Sequence, residues 1–516
     1  HNLISGGFKG DIFPVNPKYD TLQGLKCYAS ISKLPSAPEL TIIVTPAHIV
    51  PGLMKDCGKK GIVSVLVLSA GFKEAGETGE MQFRDLKAQA KENGIRLIGP
   101  NCLGLVTPAI GLNATFAPSM PETGRVAFIS QSAAMGSAIL DWAAEKNVGF
   151  SHFVSVGNMA DIGFDHLIDY FGSDNRTACI LIYMESLVNA RKFMSAARAF
   201  ARSKPIVILK AGRSKEGARA TFSHTGSMAG NDAVYDAAFH RAGVIRVATV
   251  QQLFDCASAL SMQPLPTNNR LAIVTNAGGP AILATDWLMQ RGGAIASLQP
   301  TALAELDKIM PAAWSRSNPV DVLGDATPEL YRAALKTCLH DPGVDAVLCL
   351  LTAQNMTDPA AFAEVVVEES KKMKSKPVYA AWMGMRTVGA GRRYLEEHKI
   401  PWFPFPERAV EVFMKMVNYR ETLELLYETP PDLSLELGFQ RDAARKIVEK
   451  IRKKNRTELN ESESKQLLAC YGIPVNSGKT AKTADEAAAF ALEIGLPAAM
   501  KIESPDIWHK SDVNGV

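Results

Sequence analysis

The chain has 516 residues, 47% of them hydrophobic and 21% charged, with a net charge of +3. This is ordinary globular composition with length for several compact domains, and so small a charge excludes nucleic acid or an anionic membrane surface as the main partner. Any anion it binds must be held locally.

The chain begins at His1. From residue 10 to about 115, strand-like runs (DIFPVNP, LTIIVTP, SVLVLSA, IRLIGPN) alternate with helix-like ones (IVPGLMKDCGKKG, GEMQFRDLKAQAKENG). That alternation predicts a parallel α/β sheet. A doubly wound unit normally opens on a strand and a Gly-rich turn, and residues 1–115 lack that first strand.

After the Pro-rich SMPETG, residues 116–265 read as a complete α/β domain: strand GRVAFIS, helix QSAAMGSAILDWAAEKN, strand SHFVSVG, helix GFDHLIDYFGSD, strand TACILIYMES, a helix to Ser203, strand KPIVILKAG, the loop SHTG, a helix from Asp232 and strand VIRVATV. Residues 266–432 repeat its opening, RLAIVTNAGGPAILATDWLMQRGG aligning with RVAFISQSAAMGSAILDWAAEKN. The recurrence of strand, small-residue turn and Asp-Trp-bearing helix predicts two related flavodoxin-like domains. In 433–516, the stretch Gln440 to Arg456 is a charged helix or linker with a solvated face, followed by the opening of another α/β domain that stops at HKSDVNGV. Both termini are expected to be cuts in a longer polypeptide.

Eight cysteines are scattered singly, several inside apolar runs such as ACILIY, and no run approaches the roughly 18–20 apolar residues of a membrane span. Reduced thiols in a soluble, cytoplasmic protein with no membrane partner are therefore expected. No H-E-x-x-H, C-x-x-C or clustered His/Asp set points to a metal ligated by protein alone.

A strand that ends in small polar residues and runs straight into a helix leaves backbone N–H groups and the positive helix end facing one spot, which suits phosphate. Ser130-Gln131-Ser132 and Thr275-Asn276-Ala277-Gly278-Gly279 both have this form, as tight turns or as anion sites. His224, in SHTGSMAG, is either a hydrogen-bonding loop residue or a nucleophile able to carry a phosphoryl group. Glu185 ends its strand at the carboxyl edge, where parallel sheets place ligands, and could fix an imidazole tautomer. Asn158 and Asp161 end the preceding strand and could orient it too. Pro14-Val15-Asn16-Pro17-Lys18 and Gly99-Pro100-Asn101-Cys102 also fall at a carboxyl edge, with Lys18 the natural cation for a nucleotide phosphate. Lys501 follows the strand-like PAAM, and His509 stands eight residues on.

Taken in order, PVNP with GPNCLG, ISQSAAMG with GNMADIGF, SHTGSMAG, NAGGP with NPVDVLGD, and LPAAMKIESPDIWHKSDVNGV resemble the nucleoside-diphosphate-forming acyl-CoA synthetases, the ADP-forming acetate–CoA ligase relatives of succinyl-CoA synthetase. The resemblance spans essentially the whole chain. It implies a truncated Rossmann-type CoA-binding domain, two flavodoxin-like domains and a partial ATP-grasp domain. It further implies a reaction in which acyl-CoA and phosphate give an acyl phosphate and CoA, after which the phosphoryl group passes to a histidine and on to ADP. By the same resemblance, His224 is that histidine, Glu185 its supporting carboxylate, and Ser130–Ser132 with Thr275–Gly279 the phosphate cradle. Asn16, Pro17, Lys18 and Asn101 are implied to bind CoA, Lys501 to bind ATP or ADP, and His509 to be a second phosphoryl carrier. Mg²⁺ ligands are expected outside this chain, which alone is not expected to turn over; a homo-oligomer is expected. Asn514 stands where relatives carry Gly.

The same architecture occurs in protein lysine acetyltransferases, whose ligase-like part binds acetyl-CoA as a regulatory module, and ISQSAAMGSAILDWA and SPDIWHKSD are close to that branch. Under that alternative the partner is a protein lysine.

Overall fold

The computed structural model describes the chain except residues 146–147, 226–229, 313, 428–438, 505 and 508, and only the backbone of 145 and 222–225. It divides into two units, residues 1–428 and 429–516.

The first unit opens on a helical turn, Asn2–Ser5, and a small hairpin, β1 (Thr21–Leu22) with β2 (Leu25–Lys26), followed by a parallel sheet of β3 (Thr41–Ile43), β4 (Ser64–Val67) and β5 (Arg96–Ile98). DIFPVNP, expected as a strand, is not one. Pro14 and Pro17 remove donors that a ladder needs, leaving a single bridge from Val15 to Tyr28. The hairpin β6 (Gly104–Thr107) and β7 (Leu112–Thr115), within the range read as the first domain, is hydrogen-bonded into the next sheet, with β6 antiparallel to its neighbour.

That next sheet contains β8 (Thr123–Ser130), β9 (Phe150–Ser155), β10 (Cys179–Met184), β11 (Ile206–Lys210) and β12 (Ile245–Val247), ordered β12-β11-β10-β8-β9-β6-β7. Counted from β8, the parallel part runs 2-1-3-4-5, the flavodoxin-like order. A second sheet repeats it: β13 (Arg270–Thr275), β14 (Ala294–Ile295), β15 (Val320–Asp321), β16 (Ala346–Thr352), β17 (Val378–Met383) and β18 (Trp402–Phe403) run β14-β13-β16-β17-β18, with β15 paired to β13. This is an α/β protein with a duplicated core.

One apolar core joins the two sheets. Phe128, Leu181 and Val207 of the first and Ile273, Leu348 and Tyr379 of the second belong to the same cluster, bridged by Leu253 and Phe254 of helix Val250–Met262 and by Val410, Phe413 and Val417 of helix Pro406–Tyr427. The rings of Trp142 and Phe254 lie 4.4 Å apart. All eight cysteines are buried free thiols, and burial pushes Cys102 up to about 12. Among the described residues no helix is long and apolar enough to cross a membrane.

The second unit holds helices Arg441–Arg452, Glu461–Cys470 and Ala484–Ile494. The PAAM run before Lys501, expected to be strand-like, forms no strand.

Candidate active site

In an open parallel sheet, ligands sit at the carboxyl ends of the strands, where the strand order reverses. In the first sheet that point lies between β8 and β10. Ser130 ends β8, and its Oγ donates to the Ser132 carbonyl at 2.7 Å. Ser132 Oγ accepts from the Met135 N–H at 3.3 Å, capping the helix Ala133–Glu145. Gln131 spans the reversal: its Oε1 accepts from the N–H groups of Glu185 (2.8 Å) and Ser186 (2.9 Å), and its Nε2 donates to Ser186 Oγ at 2.9 Å.

The second sheet has a related arrangement. Thr275 Oγ1 donates to the Ala277 carbonyl at 2.8 Å. Asn276 spans from β13 to β16, donating to the Thr352 carbonyl and accepting from the Thr352 N–H, each at 2.9 Å. The helix Gly278–Gln290 that follows has no side-chain cap; a Cβ on Gly278 would lie 3.4 Å from Asp321 Oδ2.

The side chains of Gln131 and Asn276 thus strap each reversal, through the acceptor oxygen and one N–H of each amide. The Gln131 N–H already donates to the Tyr183 carbonyl, and that of Ala277 bonds Thr275 Oγ1. Each strand end runs directly into a helix start, at Ser132 in one sheet and at Gly278 and Gly279 in the other.

Glu185 is buried at 7% exposure, immediately beyond β10. Burial, the Glu185 charge and a hydrogen bond to Glu185 push Tyr183 up to about 12, so Tyr183 remains a neutral donor beside the carboxylate. Lys210, at the end of β11 and 1% exposed, donates to the Ala211 carbonyl at 2.5 Å and lies 4.6 Å from the centre of the Tyr235 ring. Burial lowers its pKa, while Asp232 and Glu185 oppose that and Arg246 adds to it.

His224 was expected in a loop. The backbone of Ser223–Thr225 instead closes the helix Lys215–Thr225, which packs against the turn Lys73–Ala75. The His224 side chain and residues 226–229 lie outside the described residues.

Asn158 and Asp161, read as able to orient the imidazole alongside Glu185, make their hydrogen bonds to the region of the β3–β5 sheet. Segment 158–162 runs beside 97–100, with N–H groups of Asn158, Ala160 and Ile162 donating to Pro100, Gly99 and Leu97. Asp161 accepts from Arg96 Nε at 2.8 Å and the Leu97 N–H at 3.1 Å, and Asn158 Nδ2 donates to Glu74 Oε2 at 2.8 Å. Asn101 sits at φ 57°, its N–H on the Ser69 carbonyl. Asn16 Oδ1 accepts from the N–H of Lys18, whose side chain, like Pro17, is exposed.

In the second unit Lys501 and His509 are exposed. Lys501 is paired with Glu461, which also binds Lys465 and Lys510. Hydrogen bonds from Lys510, Lys465 and Lys501 hold the Glu461 carboxyl down at about 2. Among the described residues, no group of three His, Cys, Asp or Glu side chains is arranged to hold a metal ion.

Tyr183, Lys210 and Glu74 escaped the sequence reading. Each belongs to a strand end or a turn, and no local pattern ties it to a partner distant in sequence.

Four family profiles match in chain order: a CoA binding domain (residues 1–108), a succinyl-CoA ligase like flavodoxin domain (123–260), a ligase-CoA domain (271–426) and an ATP-grasp domain (450–516). An ADP-forming acetate–CoA ligase I of Archaeoglobus fulgidus is 40% identical over 509 residues, 99% of this chain and 72% of that protein. An ADP-forming 4-hydroxybutyrate–CoA ligase of Nitrosopumilus maritimus is 35% identical over 99% of this chain and 73% of its own. Among solved structures, the dinucleotide-forming acetyl-coenzyme A synthetase 1 of Ca. Korarchaeum cryptofilum, in complex with phosphate and ADP, superposes with a TM-score of 0.77 at 36% identity, covering 83% of this chain and 93% of that one.

Proposed function

The chain belongs to the ADP-forming acyl-CoA ligase family, and on that premise we propose that its parent protein interconverts acetyl-CoA, ADP and phosphate with acetate, CoA and ATP through a phosphohistidine at His224. A phosphate oxygen attacks the thioester carbonyl, the C–S bond breaks, and CoA leaves as a thiol with acetyl phosphate bound. An imidazole nitrogen of His224 then attacks phosphorus, the acyl O–P bond breaks, and acetate departs. Finally the phosphoryl group passes by way of His509 to a β-phosphate oxygen of ADP, and each imidazole returns to its neutral form. The helix starts at Ser132 and at Gly278 and Gly279 stabilise the phosphoryl oxygens, and Glu185 holds the imidazole tautomer.

Asn16, Pro17, Lys18 and Asn101 are proposed to hold CoA, Lys501 the nucleotide, and His509 to relay the phosphoryl group in the ATP-grasp part. The single observation that carries this reading is the Gln131 strap, which pins a buried carboxylate to a helix start at a ligand-binding strand reversal.

The full-length protein with labelled ATP and Mg²⁺ is expected to gain acid-labile phosphoryl groups at His224 and His509, and His224→Ala to lose the label at residue 224 together with CoA-dependent ADP release. Unchanged labelling in the variant would remove this mechanism. Acetate and 4-hydroxybutyrate, the carboxylate named for the second relative, should be assayed side by side. Acetylation of a protein lysine with no phosphohistidine formed would instead support the regulatory acetyl-CoA-binding role.

A further inference from the structure

Glu74 lies in the turn that follows β4, at the carboxyl edge of the first sheet, and the proposed phosphohistidine chemistry gives it no part. Its Oε1 accepts from the N–H groups of Gly71 (2.7 Å) and Phe72 (3.1 Å), and its Oε2 from Asn158 Nδ2 (2.8 Å). Phe72 is fully buried in the core of the first sheet, so the turn is anchored on that side. Asn158 follows the end of β9, and its N–H is held by the Pro100 carbonyl. One carboxylate therefore ties a turn of the CoA-binding region to a strand end of the flavodoxin-like sheet. Burial pushes the Glu74 carboxyl up, but the hydrogen bonds from Asn158, Gly71 and Phe72 outweigh it and leave it lowered, so the group is ionised and each bond is charge-assisted.

The same turn, Lys73–Ala75, is what the helix Lys215–Thr225 packs against. That helix contributes only Thr221 to the buried residues among its described side chains, so the turn is a principal abutment for the segment bearing His224.

We propose that Glu74, latched to Asn158, is a positioning residue that sets where the His224 helix rests at the CoA-side site, and so governs phosphoryl transfer between acyl phosphate and His224 but not between His224 and nucleotide. This rests on the phosphohistidine reading above. Glu74→Ala removes the acceptor oxygens for Gly71, Phe72 and Asn158 together, opening the latch. Asn158→Ala removes its other half.

The test labels the full-length enzyme from both sides, with labelled ATP and Mg²⁺, and with acetyl-CoA and labelled phosphate. The expected result for either variant is labelling from ATP at the wild-type rate and labelling from acetyl-CoA and phosphate slowed by about tenfold or more, the loss of a hydrogen bond to a charged group. The double variant should be no slower than the worse single one. Equal slowing from both sides, no slowing from either, or additive losses would each overturn the latch, because a merely structural role moves both half-reactions together. Wild-type enzyme that labels from neither side would sink the phosphohistidine reading itself and with it this inference. Wild-type enzyme that labels normally beside unaffected variants overturns the latch alone.

Discussion

Gln131→Ala tests the strap directly. Gln131 Oε1 satisfies two buried backbone N–H groups, those of Glu185 and Ser186, and Gln131 itself is 7% exposed. Truncation leaves both donors without their acceptor in a site closed by β8 and β10. At about 1–3 kcal/mol for each buried unsatisfied donor, the expected loss is roughly 2–6 kcal/mol, with the lower end reached if a water enters the space left by the amide. Gln131→Glu separates two causes, since it preserves an acceptor for both N–H groups but loses the donor to Ser186 Oγ and sets a second carboxylate beside Glu185. Urea unfolding followed by tryptophan fluorescence reads the stability, and labelling from acetyl-CoA and phosphate reads the site. The alanine variant is expected to lose stability and labelling together, and the glutamate variant to lose labelling with the smaller change in stability. An alanine variant within about 0.5 kcal/mol of wild type, the range of ordinary surface changes, would refute the claim that the amide bears the Glu185 turn.

Two further predictions bear on the helix carrying His224 and on the second unit. Gly212 has φ +70° and its missing Cβ would lie 2.5 Å from Thr221 Oγ1, so Gly212→Ala should destabilise the first unit by about 1–2 kcal/mol and slow His224 labelling from acetyl-CoA and phosphate; a variant at wild-type stability and rate would contradict the packing described. Glu461, held down at about 2 by Lys510, Lys465 and Lys501, contributes stability that is present above its unfolded value near 4.5 and is lost as pH falls toward 2. Acid titration of wild type and Glu461→Gln should therefore give curves that differ above pH 5 and converge by about pH 2; parallel curves would show the lysine cluster to be without effect on folding.

The strand order was legible because fully buried parallel strands write themselves as apolar runs, and the duplication because Asp141-Trp142 and Asp286-Trp287 fall at the same step after their turns. The hairpin β6–β7 was not, since its residues carry no strong alternation and its pairing with β9 is antiparallel inside an otherwise parallel pattern. Gly226 and Gly230 made SHTG read as a loop, whereas KEGARATFSHT before them sustains a helix to Thr225, Ala and Arg being good helix formers. The candidate turns were found for their small residues, but the strand-to-strand hydrogen bonds of their two amides were not legible. An amide beside a hydroxyl is a natural anion ligand on paper, and only the neighbouring strand end shows that its acceptor and one of its donors also brace the reversal. Glu74 and Asn158 are 84 residues apart, a separation across which single-sequence patterns carry no information.

The shared core has a mechanical consequence. Two sheets that bury the same Phe128, Phe254 and Phe413 cluster cannot slide past each other without opening it, so the distance between the helix starts at Ser132 and Gly278 is a constant of the fold. Among its described side chains, the helix Lys215–Thr225 supplies none to a core cluster. Under the phosphohistidine reading proposed above, the acceptor stands on an element outside the core clusters and its receptor on elements that one core holds together. On that reading, a displacement of the helix would leave the shape of the cradle unchanged.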